Sequence, residues 1–173
     1  MTAPLYQPFW CEENIWQLTI DPLVGAGERQ VLLITGASGH VECWNQRVAG
    51  PPGAMMQWDY HVALAVRGTD LWQLWDLDTH LGCPVPAQQW LSGTFPCPER
   101  VATRLQPRFL LIPADEWRNG LRSDRQHMRT ASGAWSQPPP PWPMPQGNGA
   151  TLADYLGRAR TGMDLIALRQ RLS

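Results

Sequence analysis

The chain contains 173 residues, of which 43% are hydrophobic and 17% are charged, and its net charge is −1 at pH 7. This length suits one domain, and the hydrophobic share argues against disorder. A near-neutral charge without a basic cluster argues against nucleic-acid binding. We therefore interpret residues 1–173 as a single domain and expect no nucleic-acid partner.

The first ten residues contain no basic segment followed by an apolar one, and no uncharged apolar run approaches the roughly 18 residues of a membrane span. We therefore expect a cytoplasmic protein with no membrane partner. We also expect it to be a monomer. Cysteines in that compartment stay reduced. The four cysteines, Cys11, Cys43, Cys83 and Cys97, include no CxxC pair, so we expect neither a metal site nor a cofactor.

Residues 11–20 predict a short helix, because their apolar side chains fall on one stripe. A thiol at a helix N-terminus feels the partial positive charge of the helix dipole, which lowers its pKa toward the reactive thiolate. Glu12 and Glu13 follow directly and oppose that shift. Cys11 is thus a candidate nucleophile, and the alternative is a buried, unreactive thiol.

Two hairpins are predicted next. Residues 31–35 and 40–44 flank a four-residue loop and predict the first. The second joins residues 58–66 to residues 71–76 through a Gly-Thr pair that suits a two-residue type II′ turn.

The turn of the second hairpin sets a register that places His61 directly opposite Asp76, with Cβ atoms about 4.5 to 5.5 Å apart. A carboxylate at that distance can hold an imidazole. A histidine held by a carboxylate is the arrangement that activates a cysteine nucleophile, so the hairpin provides a candidate base and orienting acid for Cys11.

The rest of the chain alternates between loops and regular elements. Residues 77–106 are rich in proline, glycine and threonine and are expected to be largely loop, whereas residues 109–112 predict a buried strand. Residues 151–154 have the spacing of a capping box. Two C-terminal helices are predicted over residues 155–160 and 163–172.

Several polar or proline-rich positions allow more than one interpretation. Residues 138–145 form either a rigid strap packed on the domain or an SH3-type ligand. His40 and His80 are expected at the surface, whereas His127 lies in a polar segment that also suits the wall of a cleft. Ser123 is expected to cap a short helical turn.

Five motifs carry a resemblance to a known family. In chain order they are WCEENIW (10–16), WDYHV (58–62), DLDT (76–79), SDRQHM (123–128) and SGAWSQPPPP (132–141). Their order and spacing, over about three quarters of the chain, resemble the protein N-terminal glutamine amidohydrolases. The resemblance implies that Cys11, His61 and Asp76 form a catalytic triad.

The resemblance also implies a fold and a reaction. The fold would be α+β and similar to papain and transglutaminase, with the nucleophile helix packed on an antiparallel sheet and with helices at the C-terminus. The reaction would hydrolyse the side-chain amide of an N-terminal glutamine, through a thioester, to glutamate and ammonia. Proteins or peptides with an N-terminal glutamine are therefore the expected partners.

Such a substrate carries a free α-amino group that needs an acceptor. Among the acids within the matched motifs, the candidates are Glu12, Glu13, Asp59 and Asp124. The backbone N–H of Cys11 is the expected first donor to an oxyanion. The sequence assigns no second donor.

Two other classes of function remain open from the sequence. The same fold and triad would serve a cysteine peptidase, a transglutaminase or an internal-glutamine deamidase, which an open groove without an amine acceptor would favour. A non-enzymatic peptide-binding module on the same scaffold is the remaining alternative, and the intact set of cysteine, histidine and aspartate argues against it.

Overall fold

An antiparallel sheet of five strands forms the centre of the computed structural model, which describes residues 3–173. In chain order the elements are α1 (Cys11–Leu18), β1 (Glu28–Gly36), β2 (Val41–Trp44), β3 (Met55–Trp58), β4 (His61–Arg67), β5 (Trp72–Trp75), β6 (Val85–Pro86), α2 (Ala87–Thr94), β7 (Pro107–Pro113), α3 (Ala114–Gly120), α4 (Leu152–Ala159) and α5 (Leu165–Arg171). The strand order is β6-β5-β4-β1-β7, and β2 pairs with β3 in a separate sheet. The predicted α+β class is confirmed. Each helix in the described part of the chain is too short or too polar to span a bilayer.

The central sheet is buried on both faces. Because side chains alternate along a strand, Leu33 of β1 and Val62 and Leu64 of β4 pack with α1, α3 and α4 on one face. On the other face, Leu32 of β1 and Ala63 of β4 pack with α2 and α5. This double burial explains why both strands are almost continuously apolar, and it brings α1 against the strand that begins at His61.

The first predicted hairpin is wrong. β1 pairs with β4 and with β7, so that Leu33 faces Val62 on one side and Leu110 on the other. β2 pairs instead with β3, where Cys43 faces Met56. β1 is buried from residue 31 to residue 36, whereas β2 alternates between buried and half-buried positions. The apolar strand gains more burial between two distant apolar strands than beside its neighbour in sequence.

The second hairpin forms, but its register differs from the prediction by two residues. Arg67 faces Trp72 rather than Asp70, so the connection is a loop of four residues. Leu71 is 71% exposed in this loop, whereas Trp72 and Leu74 are buried and determine the register. Because side chains alternate with a period of two, a shift of two residues keeps every side chain on its predicted face.

The expected loop over residues 77–106 contains a helix that the prediction missed. In α2, Ala87, Trp90, Leu91 and Thr94 are buried, and this spacing of three, four and seven residues is a helical signal that the proline-rich flanks masked. The helix is important for the site because Trp90 donates its indole N–H to Asp76, at 3.0 Å.

The C-terminal predictions are confirmed. Thr151 accepts a hydrogen bond from the backbone of Asp154 at 3.2 Å, and the Asp154 carboxylate accepts one from the backbone of Thr151 at 2.8 Å, which completes the capping box of α4. α5 follows as the second C-terminal helix. The predicted strand over 109–112 lies within β7, at one edge of the sheet.

The proline-rich segment packs on its own domain, as the strap interpretation predicts. The carbonyl of Pro138 accepts a hydrogen bond from the Trp10 indole at 2.8 Å. The carbonyl of Trp142 accepts one from the Arg125 guanidinium at 2.9 Å. Near the strap, a 3₁₀ turn spans Gln126–Met128, as predicted, but its N-cap is Arg125 and not Ser123. The Ser123 hydroxyl accepts from the backbone of Arg125 at 3.3 Å instead. The strap thus covers the N-terminal end of α1.

Candidate active site

A buried imidazole–carboxylate pair lies where β4 begins. The Nε2 atom of His61 is 2.9 Å from Oδ1 of Asp76, and both side chains are fully buried. The second oxygen of Asp76 accepts from Trp90, and Oδ1 also accepts from the backbone N–H of Asp78 at 3.0 Å. The predicted contact between His61 and Asp76 is therefore confirmed, because the register shift preserved their face, but the two residues are not directly opposed as predicted.

Contact between the two groups shifts the pKa of each in the direction of its charged form. Burial raises the pKa of Asp76, but the charge and hydrogen bond of His61 outweigh it and lower the pKa below its ordinary value. Burial likewise lowers the pKa of His61, and the Asp76 carboxylate outweighs that effect and raises it. The Nδ1 atom of His61 has no hydrogen-bond partner among the described residues. That nitrogen is left available for proton exchange.

Cys11 is the first residue of α1, and the residue is 6% exposed. The backbone of Val62, the residue after His61, acts to lower the pKa of Cys11. Burial nevertheless raises the pKa of Cys11 well above its ordinary value, and the charges of Glu12 and Asp78 raise it further. The predicted lowering of this pKa is therefore wrong, because removal from water outweighs the helix dipole.

A cavity of about 1050 Å³ opens in front of Cys11. This volume matches the upper end of small-molecule sites, roughly 300 to 1,000 Å³. Its walls include Trp58 and Tyr60, which precede β4, and His127 from the 3₁₀ turn. The Trp58 indole also stacks on the His61 imidazole, with ring centroids 5.7 Å apart and planes 14° apart. His61 therefore lies behind the cavity wall, and Cys11 is the triad candidate that lines the cavity.

Glu12 lies next to the thiol in a polar group that the sequence did not reveal. Its Oε2 atom is 3.9 Å from the Cys11 sulfur and accepts a hydrogen bond from the Tyr60 hydroxyl at 2.9 Å. The Nε2 atom of His127 is 3.2 Å from Oε1 of Glu12 and 3.2 Å from the Tyr60 hydroxyl. Burial lowers the pKa of His127, but Glu12 outweighs it and raises the pKa. His127 lines the cleft, as one of its two interpretations predicted.

The remaining acid candidates occupy different environments. Asp59 and Asp124 line the cavity. Asp59 is 83% exposed and lies 3.3 Å from His40, whereas Asp124 accepts a hydrogen bond from the backbone of Gln126 at 2.9 Å. His40 and His80 are exposed, as predicted.

Glu13 is committed to a structural contact. Its two oxygens accept from Arg125 at 2.7 Å each, and the Trp142 indole donates to Oε2 at 3.0 Å. The Glu13 side chain is fully buried, and that of Arg125 is 9% exposed. Glu13 thus ties α1 to the proline strap, and neither it nor Glu12 lines the cavity; Glu12 differs in that its carboxylate lies next to the Cys11 thiol.

Replacement of Arg125 by methionine should destabilise the fold, because it leaves the Glu13 carboxylate buried without its partner. Loss of one member of a buried ion pair costs about 3 to 5 kcal/mol. Urea unfolding measures the change in free energy of unfolding, with exposed Arg100→Met as the matched control, expected within about 0.5 kcal/mol. Adding Glu13→Gln should recover part of the loss, and a stability equal to that of the native chain in Arg125→Met would contradict this role.

His61, Asp76 and Asp78 are a group whose ligand atoms lie within 4.8 Å of one another, close enough to hold a metal ion. Each of these groups already has a hydrogen-bond partner within the protein. Nε2 of His61 pairs with Oδ1 of Asp76, and Oδ1 of Asp78 accepts from the Tyr6 hydroxyl at 2.5 Å. A metal would have to displace these bonds, so the donor set fits a hydrogen-bonded relay better than a metal site.

Similarity to known proteins identifies the chain as a hydrolase of the amidase class. Residues 6–163 match the family model described as N-terminal glutamine amidase. The chain belongs to this N-terminal glutamine amidase family, which confirms the resemblance carried by the sequence motifs.

Curated relatives with the name protein N-terminal glutamine amidohydrolase occur in animals and in a plant. The proteins of Bos taurus and Homo sapiens are each 32% identical over 146 residues, which cover 82% of this chain and 70% and 71% of theirs. The Arabidopsis thaliana protein is 28% identical over 182 aligned positions, covering 96% of this chain and 81% of its own. The similarity therefore extends over most of this chain and most of each relative.

Proposed function

We propose that this chain is a single catalytic domain that hydrolyses the side-chain amide of an N-terminal glutamine, releasing ammonia and leaving glutamate. Cys11 is the nucleophile, His61 the general acid and base, and Asp76 the orienting group. The observation that carries this proposal is the buried His61–Asp76 pair next to a cavity that Cys11 lines. The names of the relatives support the substrate.

The direction of proton transfer follows from the hydrogen bonds. Asp76 accepts from Nε2–H of His61, so the lone pair of the neutral imidazole is on Nδ1. The raised pKa of Cys11 means that its thiol is neutral before reaction, whereas the raised pKa of His61 makes it a stronger base. The thiolate therefore forms by transfer of its proton to His61.

The reaction then has two halves. The Cys11 thiolate attacks the δ-carbon of glutamine, the C–N bond breaks, and the proton on His61 passes to the departing nitrogen, which leaves as ammonia. Water next attacks the γ-glutamyl thioester while His61 takes its proton, and the C–S bond breaks. The sulfur is reprotonated, and glutamate leaves. The backbone N–H of Cys11, free of intrahelical partners at the helix start, stabilises the oxyanion.

Glu12 is the acid that we assign to the substrate α-amine. The α-nitrogen and δ-carbon of glutamine are about 4 to 5 Å apart, given bond lengths of about 1.5 Å. A carboxylate that lies 3.9 Å from the attacking sulfur is within reach of that amine. Tyr60 and His127 orient the Glu12 carboxylate. Asp59 and Asp124 are the alternative acceptors, whereas Glu13 is occupied by Arg125.

The packing of α1 on an antiparallel sheet that carries the histidine also supports a fold similar to papain and transglutaminase. In such a fold, a neutral variant of the orienting acid Asp76 should retain the structure and lose activity.

The direct test of the proposed reaction is release of ammonia from a peptide that begins with glutamine, measured for the native protein.

Asp76→Asn should lower kcat for that peptide, because an amide can favour the wrong imidazole tautomer. The corresponding change in a serine-protease triad costs on the order of 10⁴-fold. We expect a smaller loss of about 10² to 10³-fold, because a thiolate depends less on a general base. Exposed Asp70→Asn is the control with the same charge change. An unchanged kcat in Asp76→Asn would assign the orienting role to Asp78.

A further inference from the structure

The second aspartate of the DLDT motif is a buried acid that the reaction proposed above does not use. Asp78 is 2% exposed, and its backbone N–H donates to Oδ1 of Asp76, the same atom that holds His61. Its own carboxylate accepts a hydrogen bond from the Tyr6 hydroxyl at 2.5 Å, across 72 positions of sequence. The N-terminal segment therefore reaches the imidazole–carboxylate pair.

The Tyr6 segment is held in place independently of this contact. The side-chain amide of Asn14 donates to the carbonyl of Gln7 and accepts from its backbone N–H, both at 2.8 Å. Loss of the Tyr6 hydroxyl would thus remove one hydrogen bond from Asp78 without releasing the segment that carries it.

We propose that Asp78, oriented by the Tyr6 hydroxyl, is a second positioning carboxylate of the site and stabilises the protonated His61 that the reaction needs. This proposal rests on the proposed function for its purpose, but its geometry is independent of any substrate. Asp76 orients the ring directly, whereas Asp78 acts through its charge and through its backbone bond to Asp76.

The charged groups around Asp78 support this role. Burial, the largest effect, and the Asp76 charge raise the pKa of Asp78, and they outweigh His61, the Tyr6 hydrogen bond and Arg47, which lower it, so the pKa stays above its ordinary value. Asp78 in turn affects its neighbours, because its negative charge raises the pKa of His61 and that of Cys11. Removal of one negative charge must therefore lower the pH at which the cysteine and histidine lose their protons.

The test is the pH dependence of Cys11 alkylation by iodoacetamide, with the adduct located by peptide mass spectrometry because the other three thiols are also free. Asp78→Asn keeps the acceptor oxygen and loses the charge, and should lower the midpoint by about one pH unit or more. Tyr6→Phe keeps the Asp78 charge but releases its carboxylate from the position that the hydroxyl fixes, so it should move the midpoint by less than Asp78→Asn does. Adding Tyr6→Phe to Asp78→Asn should cause no further shift.

The control variants are exposed Leu5→Ala and exposed Asp70→Asn, which should leave the midpoint unchanged. A purely structural role for Asp78 would lower the thermal stability without moving the midpoint, and that result would overturn the proposal. If Asp78→Asn fails to fold, Tyr6→Phe decides alone, and an unmoved midpoint in it overturns the proposal.

Ammonia release separates this proposal from the proposed function. Native protein that releases no ammonia, together with a lowered midpoint in Asp78→Asn, refutes the amidohydrolase and supports the positioning role. Ammonia release with an unmoved midpoint refutes the positioning role alone.

Discussion

Cys11→Ala is expected to abolish ammonia release from glutamine-initiated peptides while the protein remains folded. Removal of a nucleophile leaves only the weak catalysis that binding and oxyanion contacts provide, so the loss should be on the order of 10⁴-fold or more. The thiol is a small buried group, and its deletion should cost only about 1 kcal/mol of stability. Ammonia assays and thermal unfolding followed by circular dichroism measure the two effects.

Cys97→Ala is the matched control for this variant, because Cys97 is a free, half-buried cysteine at the start of a 3₁₀ turn outside the cavity. It should retain full activity. Activity of Cys11→Ala above a small fraction of that of the native protein would rule out Cys11 as the nucleophile, whatever the behaviour of the control.

The protein should discriminate strongly between peptides that begin with glutamine, asparagine and acetyl-glutamine. With the α-amine held by Glu12, the shorter asparagine side chain leaves its carbonyl short of the Cys11 sulfur. A misplacement of about 1 Å alone costs on the order of 10²-fold in rate, and a lost methylene adds about 1 to 3 kcal/mol. Acetylation removes the charge that pairs with the Glu12 carboxylate, which costs several kcal/mol.

The measurement is kcat/KM for ammonia release from the three peptides and from one with glutamine at the second position. Glu12→Gln should lose much of the preference for a free amine, whereas Asp59→Asn and Asp124→Asn test the alternative acceptors. Similar kcat/KM values for all four peptides would contradict the amine-binding site and would favour an internal-glutamine deamidase.

Local chemistry in the sequence was sufficient for several elements of this fold. The apolar stripe that begins at Cys11 predicted α1, and the Thr151–Asp154 pair predicted the start of α4. The juxtaposition of His61 and Asp76 was predicted even though the turn was wrong, because the two-residue period of a strand keeps both side chains on one face. Each of these features depends on contacts between residues close in sequence.

The strand pairing and the side-chain partners that involve residues distant in sequence were decided by the tertiary structure. The partners of β1 are β4 and β7 because an apolar strand gains most by burial between two others. Glu13 is bound by Arg125, which is 112 positions away in the sequence. Asp78 is bound by Tyr6, which is 72 positions away.

The sequence by itself determined the kinds of groups at the site, their faces on the strands and the family to which the chain belongs. Only the tertiary structure decided their ionisation, because the pKa of a thiol such as Cys11 depends on how much water the fold removes from it. It also decided which of two adjacent glutamates faces the thiol and which ties the helix to the strap, since neighbouring residues on a helix point in different directions.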